Sequence, residues 1–191
     1  NTAYLAYADG SWTYQYWGDP VDTGVVATDV EIKGPGQYTI GLDFTETADG
    51  KALGLAFTAP IIAKGNETFA GYFIKLDAIV INGEKIEFSK GYTSSDDGIE
   101  LRSNIYNEWV SNLPDDARTP DGDISDASAV IIDKEDFAEV ETITVTFTLL
   151  EADGKGATAD SAPKTGVTSM ALVYGLGAII TGAYVFKKKG K

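Results

Sequence analysis

Two stretches of this sequence carry side chains whose types and spacing could do chemistry. Trp12, Tyr14, Tyr16 and Trp17 crowd into "GSWTYQYWGDP". Read as a strand, with side chains alternating between faces, it puts Trp12, Tyr14 and Tyr16 on one face and Thr13, Gln15 and Trp17 on the other. The face with Gln15 is the solvent side, because a buried Gln must satisfy its amide. Trp17 then stands beside a hydrogen-bonding group in water. Such an indole can hold a sugar: the ring stacks on apolar C–H faces and the amide binds hydroxyls. The second stretch is "DDGIELRSNIYNEWV". There Arg102, Asn104 and Tyr106 alternate with Leu101, Ser103 and Ile105, and Asn107 and Trp109 extend the polar–aromatic set. Ligand-binding candidates are therefore Gln15, Trp17, Arg102, Asn104, Tyr106, Asn107 and Trp109, with Trp12, Tyr14 and Tyr16 assigned to packing.

A third set is acidic. In "DGDISDAS" the residues Asp121, Asp123, Ser125 and Asp126 echo the start of a calcium loop of the EF-hand type. The loop lacks the Gly at its sixth position and the Glu at its twelfth. Asp121, Asp123 and Asp126 could still hold a structural Ca²⁺; the bland alternative is a solvated acidic loop. No other cofactor is implied.

Composition removes several classes of chemistry. The 191 residues include no Cys and no His. Disulfides, thiolate nucleophiles, zinc-finger sites and Ser-His-Asp catalysis are thereby excluded. The chain holds 15 basic and 29 acidic residues, a formal net charge of −14. Residues 151–191 hold six lysines against three acids, so the strong negative charge belongs to residues 1–150. A body of that sign repels phosphate backbones, which argues against a nucleic-acid partner.

The elements that must position these residues read as β-strands. In "QYTIGLDFT" Tyr38, Ile40, Leu42 and Phe44 share one face; in "ETITVTFTLL" Ile143, Val145, Phe147 and Leu149 do. Asn82-Gly83 sits between two β-rich runs and predicts a two-residue hairpin turn. Only "DKEDFAEV" reads as helical, a short turn capped by Asp133. Residues 1–150 are thus expected to form an all-β, jelly-roll-like β-sandwich. Residues 151–161, small and polar, read as a flexible linker.

The end of the chain is of another kind. Residues 167–186 carry no charge. As a helix they would span about 30 Å, one hydrocarbon thickness. Lys187, Lys188, Lys189 and Lys191 follow, which predicts a membrane-spanning helix with its basic end inside and the acidic body outside. Ala162-Pro163-Lys164-Thr165-Gly166 stands just before it. Pentapeptide, apolar span and basic tail together resemble the C-terminal sorting signal of Gram-positive surface proteins. The resemblance implies that Pro163, Thr165 and Gly166 form the signal, that a sortase cuts between Thr165 and Gly166, and that the body is displayed on the cell surface, anchored to wall or membrane. Ala162 stands where that family has Leu, which bears on whether sortase cuts here. The chain opens at Asn1 without a basic-then-apolar leader, and an anchor follows what it displays. It therefore reads as the C-terminal piece of a longer protein.

The body resembles the non-catalytic carbohydrate-binding modules attached to glycan-degrading enzymes of Gram-positive gut bacteria. Gln15-Tyr16-Trp17, "AIVINGEKIEF" and "LRSNIYNEWV" carry that likeness, which extends over most of residues 4–150. It implies a sandwich that binds a neutral polysaccharide, a plant β-glycan such as mannan, xylan or β-glucan, without catalysis. Two other readings compete with it. One is an adhesin or stalk domain that contacts a host protein or serves as a spacer. The other is a glycosidase working through two carboxylates, for which Glu100 and Glu108 can be nominated.

Overall fold

The period-two segments become strands because each can bury one row of side chains while its backbone pairs with neighbours. The computed structural model describes residues 1–19, 23–109 and 113–151. Within these residues the fold is antiparallel β-sheet with almost no helix, as expected of an all-β protein. One sheet holds β1 (Thr2–Ala8), β2 (Gln15–Tyr16), β4 (Val30–Glu31), β7 (Phe57–Ile62), β10 (Ser95–Asp97), β11 (Glu100–Arg102) and β12 (Tyr106–Asn107). Its order is β10-β11-β7-β1-β2, with β12 also on β7 and β4 also on β1. A second holds β3 (Val26–Thr28), β5 (Gly36–Asp43), β8 (Phe73–Ile81), β9 (Glu84–Ile86) and β14 (Thr142–Leu150), in the order β3-β5-β14-β8-β9. The short strands β6 (Ala52–Leu53) and β13 (Glu139–Val140) pair with each other.

The second sheet follows its alternation closely. Ile143, Val145, Phe147 and Leu149 are buried, as are Tyr38, Ile40 and Leu42 across from them. The threonines of β14 line the other face, where Thr39 Oγ1 lies 2.9 Å from Thr146 Oγ1. β8 and β9 are joined by Asn82 at φ 51° and Gly83 at φ 84°, the paired positive angles that a two-residue turn requires. Asn82 does more than turn the chain. Its Oδ1 accepts the Glu141 and Thr142 amides, and its Nδ2 donates to Glu139 O. The "DKEDFAEV" stretch is a single 3₁₀ turn, Lys134–Phe137, with Asp133 Oδ1 accepting the Glu135 amide at 3.0 Å.

The first sheet departs from simple alternation, because β1 and β7 are buried on both faces. Residues directly opposite in register share a face. Tyr7 and Thr58 belong to the face turned to the second sheet, and the Tyr7 ring meets Phe44 at 5.1 Å. The opposite face carries Arg102, Ile61 and Tyr4 in one row, Ala59 and Ala6 in the next, then Asn107, Phe57, Ala8 and Gln15. This outer face bears most of the ligand-binding candidates. The linker, the apolar span 167–186 and the sorting residues Pro163, Thr165 and Gly166 lie outside the described residues. Among the described residues no helix is long and apolar enough to cross a membrane.

Candidate aromatic binding site

The expected strand through residues 10–17 is interrupted. Only Gln15–Tyr16 pairs with β1, and the chain before it makes a turn. Asp9 builds that turn. Its amide donates to Tyr14 O, and its carbonyl accepts the Trp12 amide. Its buried carboxylate accepts the Thr13 amide at 2.8 Å and the Ser11 hydroxyl at 3.2 Å. Trp12 has a left-handed backbone, φ 61°, which an L-residue with a bulky side chain adopts at a cost of about 1–2 kcal/mol. The assignment of Trp12 to packing is corrected here: the turn breaks the two-residue period and aims its indole outward. Tyr14 and Tyr16 are buried as expected.

All three tryptophans of the chain meet on the surface. Trp12 and Trp17 lie nearly parallel, with 16° between planes and centroids 6.3 Å apart. Trp109 packs on Trp12 at 5.1 Å, and Trp17 packs on Phe57 at 5.2 Å. Phe57 is buried beneath, while Trp12, Trp17 and Trp109 keep 38%, 40% and 59% of their surface in water. The result is an aromatic stack rising from the sheet, with its outermost ring most exposed. β7 explains the convergence: β1 with β2 lies on one side of it and β12 on the other, so the segments that carry Trp17 and Trp109 flank Phe57 from its two sides.

Polar groups brace the stack. Gln15 Oε1 accepts the Trp17 indole N–H at 3.1 Å, and Gln15 Nε2 donates to Trp12 O at 2.7 Å. Asn107 Oδ1 accepts the Trp109 amide at 3.1 Å. The Asn107 Nδ2 donates to no protein group among the described residues. Two phenols anchor the same segment from below. The Tyr16 hydroxyl donates to Asp29 at 2.5 Å and the Tyr14 hydroxyl to Asp49 at 2.6 Å. Burial holds the Asp29 carboxyl above the usual carboxylate range, partly offset by the bond from Tyr16. The Tyr16 phenol is raised by burial and by that carboxylate.

The remaining candidates spread along β7. Arg102 lies across from Ile61, four residues from the Asn107–Phe57 row, or roughly 13 Å along the strand. Its guanidinium binds Asp97 at 2.5 Å, while its Nε and the Oδ1 of buried Asn104 have no partner among the described residues. Tyr106 is not on the face with Arg102. The pairing of this segment on β7 slips by one residue between Arg102 and Tyr106, a β-bulge, so Tyr106 falls in the row of Thr58 and Tyr7 and Asn107 takes the outer position.

Asp121, Asp123 and Asp126 line a surface cavity of about 270 Å³ together with Lys90 and Tyr92. Their bonding is local: Asp121 Oδ1 accepts Thr119 Oγ1 and the Asp123 amide, and Asp123 Oδ1 accepts the Ser125 amide. The Ser125 amide, and with it the Ser125 hydroxyl, hold the Asp123 carboxyl below its ordinary range. Among the described residues no three His, Cys, Asp or Glu side chains converge as a metal site would need. Glu100 and Glu108 sit at opposite ends of β7. Glu100 follows the Leu101–Ile62 pair and the Glu108 amide bonds Ala56 O, a separation of roughly 23 Å along the strand. Glu100 also accepts the Tyr4 hydroxyl at 2.9 Å. That spacing lies far outside the ~5 to ~9.5 Å of carboxylate pairs that cleave glycosides.

Three residues of the stack escape a local reading: Trp12, Phe57 and Asp9. Asp9-Gly10-Ser11 is a turn signal directly after an apolar run, and it could have broken the strand before Trp12. Nothing near Phe57 in the sequence marks it as the floor under a distant tryptophan. The chain matches no protein-family model, no curated protein sequence and no solved structure.

Proposed function

We propose that the domain is a jelly-roll-like β-sandwich that binds a neutral polysaccharide without catalysis, displayed on a Gram-positive cell surface by the C-terminal sorting signal. The observation that carries this reading is the exposed stack of all three tryptophans on Phe57. The part of each indole left in water adds nothing to stability, whereas exposed indole faces are what a sugar ring stacks on. The Asn107 amide beside Trp109 supplies a donor for a hydroxyl. Carboxylates surround the turn, namely Asp9, Asp29 and Asp49, which disfavours uronic or sulfated glycans and leaves uncharged chains such as mannan, xylan or β-glucan. No cofactor is needed for binding of this kind. Anchored display raises the effective concentration, so weak individual affinities suffice.

The experiment is affinity electrophoresis of the domain in gels containing mannan, xylan, β-glucan or starch. Retardation by at least one neutral glycan, abolished in Trp109→Ala, is expected. Free migration in all four gels, with binding to a host protein instead, would transfer the site to the adhesin reading.

A further inference from the structure

We propose that Asp9 is the positioning residue of the aromatic site. Its carboxylate fixes the 9–14 turn, holds Trp12 in a left-handed conformation, and so sets the spacing and angle of the stack.

Asp9 is 1% exposed, and among the described residues no basic side chain pairs with it. A carboxylate taken out of water without a cation must be satisfied by other donors. The turn supplies them: the Thr13 amide, the Ser11 hydroxyl and, at 3.4 Å, the Tyr14 amide. These bonds tie down the residues on both sides of Trp12. A bulky residue at φ 61° persists only where its surroundings over-determine it, and such residues gather at functional sites. The consequences run outward through named contacts. Gln15 Nε2 is bonded to Trp12 O, and Gln15 Oε1 to the Trp17 indole. Trp12 in turn is the ring on which Trp109 leans. Asp9 therefore touches no ligand; it determines where three indoles stand.

The test compares Asp9→Ala with Asp9→Asn, which keeps a carboxamide oxygen in place to accept the Thr13 amide. Circular dichroism in the strong far-ultraviolet indole band reads the coupling of the stacked indoles, and glycan affinity reads the site. Asp9→Ala should lose the tryptophan couplet and weaken binding about tenfold or more, because a small misplacement of a recognition group is costly. Asp9→Asn should retain the couplet and stay within about threefold of the wild type, since an acceptor remains. A third reading needs no variant: in the wild-type protein the Thr13 amide should exchange with solvent markedly more slowly than the neighbouring Ser11 amide. An unchanged couplet in Asp9→Ala overturns the proposal, as does a Thr13 amide that exchanges freely. If Asp9→Ala does not fold, Thr13 exchange decides. The affinity comparison rests on the glycan-binding reading, but the spectroscopic and exchange measurements do not. A lost couplet in a protein that binds no glycan would sink the functional reading and leave the positioning role standing.

Discussion

Trp17 and Trp109 belong to one stack but rest on different amounts of packing, so their removal should separate stability from binding. Trp17 is 40% exposed and covers buried Phe57; Trp109 is 59% exposed and, among the described residues, leans on no aromatic ring but Trp12. A tryptophan offers about 250 Å². Trp17 thus hides roughly 150 Å² and Trp109 roughly 100 Å², which at ~25 cal/mol per Å² gives ceilings near 4 and 2.5 kcal/mol. The alanine that remains and a compact denatured chain reduce these to about 2 and about 1 kcal/mol. For a domain of this size 1 kcal/mol moves the melting temperature by about 2–4 °C. Trp17→Ala should therefore melt about 4–8 °C lower and Trp109→Ala no more than about 4 °C lower, while both lose glycan retardation. Thermal melts followed by circular dichroism, run beside affinity electrophoresis, give both quantities from one preparation. If Trp17→Ala melts like the wild type, the ring does not rest on Phe57 and the stack as described is wrong. If Trp109→Ala keeps full retardation, the outermost ring is no part of the site.

Two further predictions concern the scaffold. Asp77 is the extra residue of a bulge between β8 and β14, and it accepts Lys75, Thr148 and Gln37. Burial alone would raise its carboxyl, but those three bonds outweigh burial and hold it below the ordinary value. A depressed folded-state value adds stability above the unfolded-state value and loses it as pH falls through the folded one. Urea melts should show stability dropping below about pH 4, and Asp77→Asn should remove that part of the pH dependence. Asn82→Ala loses three hydrogen bonds and leaves at φ 51° a residue without asparagine's tolerance of the left-handed region, with an expected cost of about 2–3 kcal/mol in the same assay. Asn82→Gly should recover the part due to φ and not the part due to the bonds.

The second sheet was legible because its physics is local. A strand with one wet face must alternate, and β14 and β5 do so without interruption; Asn82-Gly83 announces its own turn. The first sheet was harder to read because β1 and β7 are covered on both faces, so "TAYLAYA" and "FTAPII" hide which side matters. Gln15, Trp17, Asn107 and Trp109 could be nominated from their chemistry, since a Gln or Asn beside an indole is unusual wherever it lies. Alternation then failed at two points for physical reasons. The Asp9 turn reversed Trp12, and a one-residue slip on β7 reversed Tyr106 relative to Arg102. The meeting of Trp12 and Trp17 with Trp109 depends on strand order, which no window of sequence contains.

The most direct measurement follows the three indole N–H resonances of the wild-type domain by NMR during titration with soluble fragments of each glycan. The chain has only Trp12, Trp17 and Trp109, so every indole signal reports on the stack. We expect a neutral glycan to shift all three together and saturably, while the Ile62 amide, at the end of β7 away from Phe57, stays still. Indole signals that remain fixed with every glycan at millimolar concentration would contradict a sugar-binding role for the stack.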